Sequence, residues 1–176
     1  MVFGEFNSNI NSYGFVFGDL KYFDWFKNRE HFEDKEIERF RNALVWKRLI
    51  HYTTNDTLGK TWHDYQIGNL DDYPVVTRAF LKHLRDPIKY PIFDKNVWKA
   101  MRTLRPHIAR RTPENSQQAQ YGHYENEYMP FFNRLYVNNE NDIICPPIDG
   151  VDEGIVKRRV LDRALWTYGR ILNNSQ

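Results

Sequence analysis

A chain of 176 residues with 41% hydrophobic and 16% aromatic side chains is long enough to bury a core without covalent staples. Its net charge of +2 excludes a global field for polyanions, so an anionic partner has to be met by a local patch. The single cysteine, Cys145, excludes an internal disulfide and fits a reducing, cytoplasmic setting. The opening residues do not read as a signal peptide, and no run approaches the roughly 20 apolar residues of a spanning helix, so no membrane role is expected.

Residues 1–18 read as an irregular arm, rich in Gly, Asn and Ser, with Phe3, Phe6, Phe15 and Phe17 available to pack on the body. Asp19 to Lys27 predicts a short helix. Asp34 to Tyr52 is the strongest helical signal, because Ile37, Phe40, Leu44, Trp46 and Ile50 recur at near-helical spacing. Lys47 and Arg48 in its C-terminal half suit the helix dipole. Leu58 to Ile67 predicts a further helix, closed by a turn over Gly68 to Asp72. Pro74 to Leu84 follows, with Pro at its first position and Lys82, His83 and Arg85 in its last turn. Thr112 to Gly122 reads as a polar loop. A helix from about Tyr124 to Val137 contains Pro130, which should kink it or mark its start. Asn138 to Gly154 reads as a long loop and Ile155 to Leu172 as the last helix. No run alternates as a strand does, so the class is all-α.

Between Pro74 to Leu84 and the next helix lies Asp86 to Phe93, with two prolines. Asp94 stands directly before Val97, Trp98, Met101 and Leu104. A carboxylate there can accept the orphan amides of the first turn and sits at the positive end of the dipole. The same placement suits a catalytic carboxylate, so Asp94 is either a cap alone or a cap that also does chemistry.

The stretch from Leu58 to Leu104 resembles the helix–hairpin–helix DNA glycosylases. The likeness rests on Thr77 near the start of its helix and on Pro91-Ile92-Phe93-Asp94-Lys95-Asn96-Val97, with Asp94 18 positions after Val76. Arg159 to Trp166 echoes the terminal helix of small proteins with that fold. The resemblance implies a compact multi-helix domain over 19–176. It implies Asp94 as the catalytic carboxylate acting on a base flipped from DNA, and it requires no cofactor or metal. Two departures qualify the likeness. The glycine positions of the hairpin fall on Asp72 and Pro74, which suit phosphate contact poorly, and the Schiff-base lysine position falls on Val76. What is implied is therefore monofunctional hydrolysis of an N-glycosidic bond, without lyase chemistry at that position. The alternative is a non-catalytic module on the same fold that binds nucleic acid or a protein.

From Lys95 to Pro113 there are six basic residues and no acid. Lys95, Lys99 and Arg102 share one helix side, and Arg105, Arg110 and Arg111 extend it, which makes these six the expected DNA contacts. Lys157, Arg158, Arg159, Arg163 and Arg170 form a second basic cluster. Thr77, Tyr90 and Trp98 are the expected lining of a base pocket, with aromatic rings to stack on a flipped base. None of the six histidines pairs with another at helical spacing, and Cys145 has no second cysteine, so no zinc site is expected.

Overall fold

The computed structural model describes residues 2–14, 20–26, 33–106 and 117–174, and among these the regular structure is entirely helical. The helices are α1 (Val2–Gly14), α2 (Leu20–Phe23), α3 (Glu33–Trp46), α4 (Asn55–Ile67), α5 (Val75–Arg85), α6 (Lys95–Leu104), α7 (Gln117–His123), α8 (Met129–Asn139) and α9 (Glu153–Asn174). A 3₁₀ turn at Ile50–Thr53 precedes α4, and a π-helical segment, Tyr124–Tyr128, joins α7 to α8.

The irregular arm expected at the N-terminus is a helix over most of its length. In α1, Phe6 and Ile10 are buried, and Phe3 and Tyr13 pack beside them, a spacing of three and four residues along one face. The Ser8 and Asn9 side chains fold back onto the Glu5 carbonyl, and the Asn11 side-chain amide donates to the Asp142 carbonyl and accepts the Ile144 amide. The loop expected over 112–122 is likewise helical from Gln117 onward. Pro130 lies in the first turn of α8, and the π segment directly ahead of it accommodates the amide hydrogen that proline lacks. Helix α3 ends at Trp46, earlier than its apolar periodicity suggests, because Arg48 turns the backbone into the left-handed region at φ 63°. The Leu49 amide then closes onto the Leu44 carbonyl at 2.8 Å.

Two apolar clusters hold the helices together. One gathers Phe6 and Ile10 of α1, Val97 and Met101 of α6, Tyr124, Tyr128 and Phe132, and Leu161 and Leu165 of α9. The other gathers Phe40 and Leu44 of α3, Leu70, Tyr73, Phe80, Leu81 and Leu84. Helix α5 feeds both, Val75 and Ala79 into the first, Phe80, Leu81 and Leu84 into the second. The approach to α6 runs along the seam, since Ile92 belongs to one cluster and its neighbour Phe93 to the other. Asp94 is thereby delivered to the line where the two cores meet.

Helix α9 packs along α1 and α6. It comes close against α6 at Gly169, where a Cβ would stand 1.9 Å from the Asn96 carbonyl oxygen, two residues past Asp94. Only a bare Cα fits against that carbonyl. Gly169→Ala is expected to cost at least about 2 kcal/mol, by forcing the start of α6 away from α9. A urea melt monitored by far-UV circular dichroism checks it.

Candidate functional site

Asp94 is the N-cap of α6. Its Oδ1 accepts the amides of Asn96 at 2.9 Å and Val97 at 3.3 Å. Its Oδ2 faces the Lys47 ammonium, 3.3 Å away, and both side chains are mostly shielded from solvent. One carboxylate oxygen thus holds the start of α6, and the other is engaged by Lys47. The approach is pinned on both sides. The Tyr90 carbonyl accepts His83 Nδ1 at 2.5 Å, and the Pro91 carbonyl accepts the Tyr124 hydroxyl at 3.0 Å.

Among the described residues, Asp94 borders two cavities. The larger, about 650 Å³, is lined by Trp46, Lys47, Arg48, Ile92, Asp94, Val97, Arg159, Asp162, Arg163, Trp166 and Arg170. Five cationic side chains there meet two carboxylates, giving a positive cleft of the size that takes a small organic ligand. The guanidinium groups of Arg163 and Arg170 lie over the Trp166 ring at 4.4 and 5.4 Å. That arrangement displays cationic planes and an indole together. Arg48 stands at the cleft in the left-handed conformation that glycine adopts without strain.

Asp162 anchors the back of this cleft. It is 4% exposed, and its Oδ2 accepts from an Arg159 guanidinium nitrogen at 2.8 Å. Its Oδ1 has no hydrogen-bond partner among the described residues. Burial pushes its carboxyl up to about 6, against the opposing pull of Arg159 and Lys47. Arg159 is itself buried, with its guanidinium stacked over Tyr22 and Trp46.

The second cavity, about 230 Å³, is lined by Val75, Val76, Phe93, Asp94, Lys95, Trp98, Gln120 and His123. It is mostly apolar and aromatic, and its dimensions suit a single planar heterocycle. Trp98 is 8% exposed, and its indole Nε1 is buried without an acceptor among the described residues. His123 donates its Nδ1–H to the Glu127 carboxylate at 2.6 Å.

The residues singled out in the sequence are distributed unevenly over this site. Asp94, Lys95 and Trp98 meet at the apolar pocket. Thr77 and Tyr90 do not line it: Thr77 is buried within α5, and the Tyr90 ring lies under Lys82 and Lys89 while its carbonyl is held by His83. Lys99 and Arg102 continue along α6, half-buried, and Arg105 lies over the Phe3 ring at 5.3 Å. Arg110 and Arg111 fall outside the described residues. Apart from Lys95, the cations that share a cavity with Asp94 come from the residues just after α3 and from α9. Arg159, Arg163 and Arg170 belong to the second basic cluster, whereas Lys47 and Arg48 carried only a dipole argument. The i, i+3 and i, i+4 relation of Arg163 and Arg170 to Trp166 is the signal that could have placed an aromatic in that cluster.

Among the described residues no three His, Cys, Asp or Glu side chains converge to hold a metal ion, and no helix is long and apolar enough to cross a membrane. Compared with family models, with curated proteins and with solved structures, the chain matches none.

Proposed function

We propose that this protein binds nucleic acid through the cationic cleft and hydrolyses the N-glycosidic bond of an extruded nucleotide at Asp94, as a monofunctional DNA glycosylase. The observation that carries the reading is the position of one carboxylate between a roomy cationic cleft and a base-sized apolar pocket. A nucleotide needs those two environments on either side of its sugar. The base would enter the pocket of Phe93, Trp98 and His123, while flanking phosphates lie against Arg48, Arg163 and Arg170. Oδ2 of Asp94 then stabilises positive charge developing on the sugar and orients a water at C1′. Lys47, which covers Oδ2 in the free protein, gains an alternative partner when a phosphate enters the cleft.

The likeness to helix–hairpin–helix glycosylases supports this reading, and the departures refine it. Asp72 and Pro74, at the positions where that family uses glycine amides, present an exposed carboxylate and a residue with no amide hydrogen. Phosphate contact is therefore assigned to the α3–α9 cleft rather than to the hairpin. The Lys47–Asp94 ion pair also favours a second reading, a binding module that has kept the cleft without the chemistry.

The test is release of free base from duplex and single-stranded oligonucleotides carrying one modified base each. Release from at least one substrate supports hydrolysis, and tight binding with no release supports the module. In both readings Arg48→Glu plus Arg170→Glu should weaken binding. Removing two phosphate contacts should flatten the slope of log affinity against log salt by roughly 1.4 to 1.8, depending on strandedness. Fluorescence anisotropy across a salt series measures that slope, and an unchanged one places the phosphates elsewhere.

A further inference from the structure

We propose that His123, held by Glu127, is the general acid of this reaction and delivers the proton that a departing neutral base requires. The assignment rests on the reading of Asp94 given above. His123 shares the walls of the apolar pocket with Asp94, Phe93 and Trp98, and its ring lies 5.4 Å from the Trp98 ring. With Nδ1 committed to Glu127 at 2.6 Å, Nε2 is, among the described residues, the ring nitrogen left for a ligand in the pocket. By contrast, both ring nitrogens of buried His83 are occupied, by the Tyr22 hydroxyl and the Tyr90 carbonyl, which makes His83 a structural residue.

The backbone holds this pair in place with some care. His123 ends α7, and Glu127 lies within the π-helical segment Tyr124–Tyr128. Such single-turn insertions recur at functional sites because they re-aim side chains without ending a helix. Tyr124 and Tyr128 are fully buried and fix the segment from below, and Phe93 contacts both rings. The Tyr124 hydroxyl donates to the Pro91 carbonyl, three residues before Asp94. The acid and the carboxylate are therefore braced against one another through one aromatic cluster.

The carboxylate of Glu127 accepts Nδ1–H, which fixes the ring, and the proton to be delivered is the one on Nε2. When the C1′–N bond breaks, its electron pair passes to the base nitrogen, and Nε2–H protonates the base. Water adds to C1′ and loses one proton to Asp94 Oδ2 and thence to solvent. The imidazole is reprotonated from solvent. One water is consumed, and the products are the protonated-nitrogen base and an abasic sugar.

The leaving group distinguishes this role from a structural one. Hypoxanthine and uracil depart as bases that need a proton. 7-Methylguanine and 3-methyladenine already carry positive charge in the nucleotide and need none. His123→Gln should slow release of neutral bases by about 100-fold or more, and of cationic bases by less than about 3-fold. Glu127→Gln, which keeps a hydrogen-bonding group in place without the charge, should show the same selectivity at about a tenth of the size. Asp94→Asn should depress both classes together. Equal slowing of both classes by His123→Gln, or no slowing of either, overturns the acid assignment while leaving Asp94 in place. Release of cationic bases alone by the wild-type protein also overturns it, since such a reaction has no use for an acid. Absence of any base release overturns both assignments.

Discussion

Asp94→Asn is expected to reduce base release by about 100- to 1,000-fold, the range found when one preorganised electrostatic group is removed from a reacting centre. Its fold should survive. Asparagine is as good an N-cap as aspartate, so the amides of Asn96 and Val97 keep their acceptor. What is lost is the Lys47 ion pair, which is partly shielded, and the melting temperature should fall by no more than about 4 °C, equivalent to roughly 1 kcal/mol in a chain of this size. Single-turnover release measured beside a thermal melt separates the two effects. A large fall in melting temperature with proportional loss of activity would make Asp94 a structural residue.

Arg159→Met is expected to be the most destabilising single change at the cleft. The methionine keeps apolar contact with Tyr22 and Trp46 but leaves Asp162 buried without its cation. Breaking a buried pair from one side costs about 3–5 kcal/mol at neutral pH. The pH dependence follows from the direction of the Asp162 shift. Its carboxyl is raised to about 6, from an ordinary value of 3.8, and loss of Arg159 raises it further. A raised carboxyl favours the folded state when protonated, and that advantage disappears as pH climbs through the folded value. The Arg159→Met defect should therefore shrink on going from pH 7.5 to pH 5, where Asp162 is held neutral. Adding Asp162→Leu should recover most of the loss at pH 7.5, since no buried charge then lacks a partner. Denaturant melts at the two pH values check both statements. A defect that grows toward pH 5 contradicts the pairing.

The sequence carries much of this architecture openly. Asp94 ahead of Val97, Trp98, Met101 and Leu104 marks a capped helix, and α6 begins at the next residue. The apolar repeats of α5 and α9 place those helices within two residues of their ends. Helix α1 was obscured by composition: Gly, Asn and Ser suggest an arm, although Phe3, Phe6, Ile10 and Tyr13 already carry the period of a buried face. Local propensity is weak there, and packing against α9 decides the outcome. The site was legible in part, because Asp94, Lys95 and Trp98 are neighbours along one helix. Lys47, Arg48, Arg163 and Trp166 could not be placed beside Asp94 from spacing, since only the crossing of α3, α6 and α9 brings them together. The His123–Glu127 pair illustrates the same limit, because its partner in the pocket, Asp94, comes from a segment 29 residues earlier in the chain.

The most direct measurement compares binding of two oligonucleotides that differ at one sugar. One carries a pyrrolidine, whose ring nitrogen is positively charged where the transition state is; the other carries the neutral tetrahydrofuran analogue. Wild-type protein should bind the cationic form about 100-fold more tightly or better, and Asp94→Asn should bind the two alike. Equal affinity of the wild-type protein for both, or a preference that persists in Asp94→Asn, would contradict a charge-stabilising role for this carboxylate.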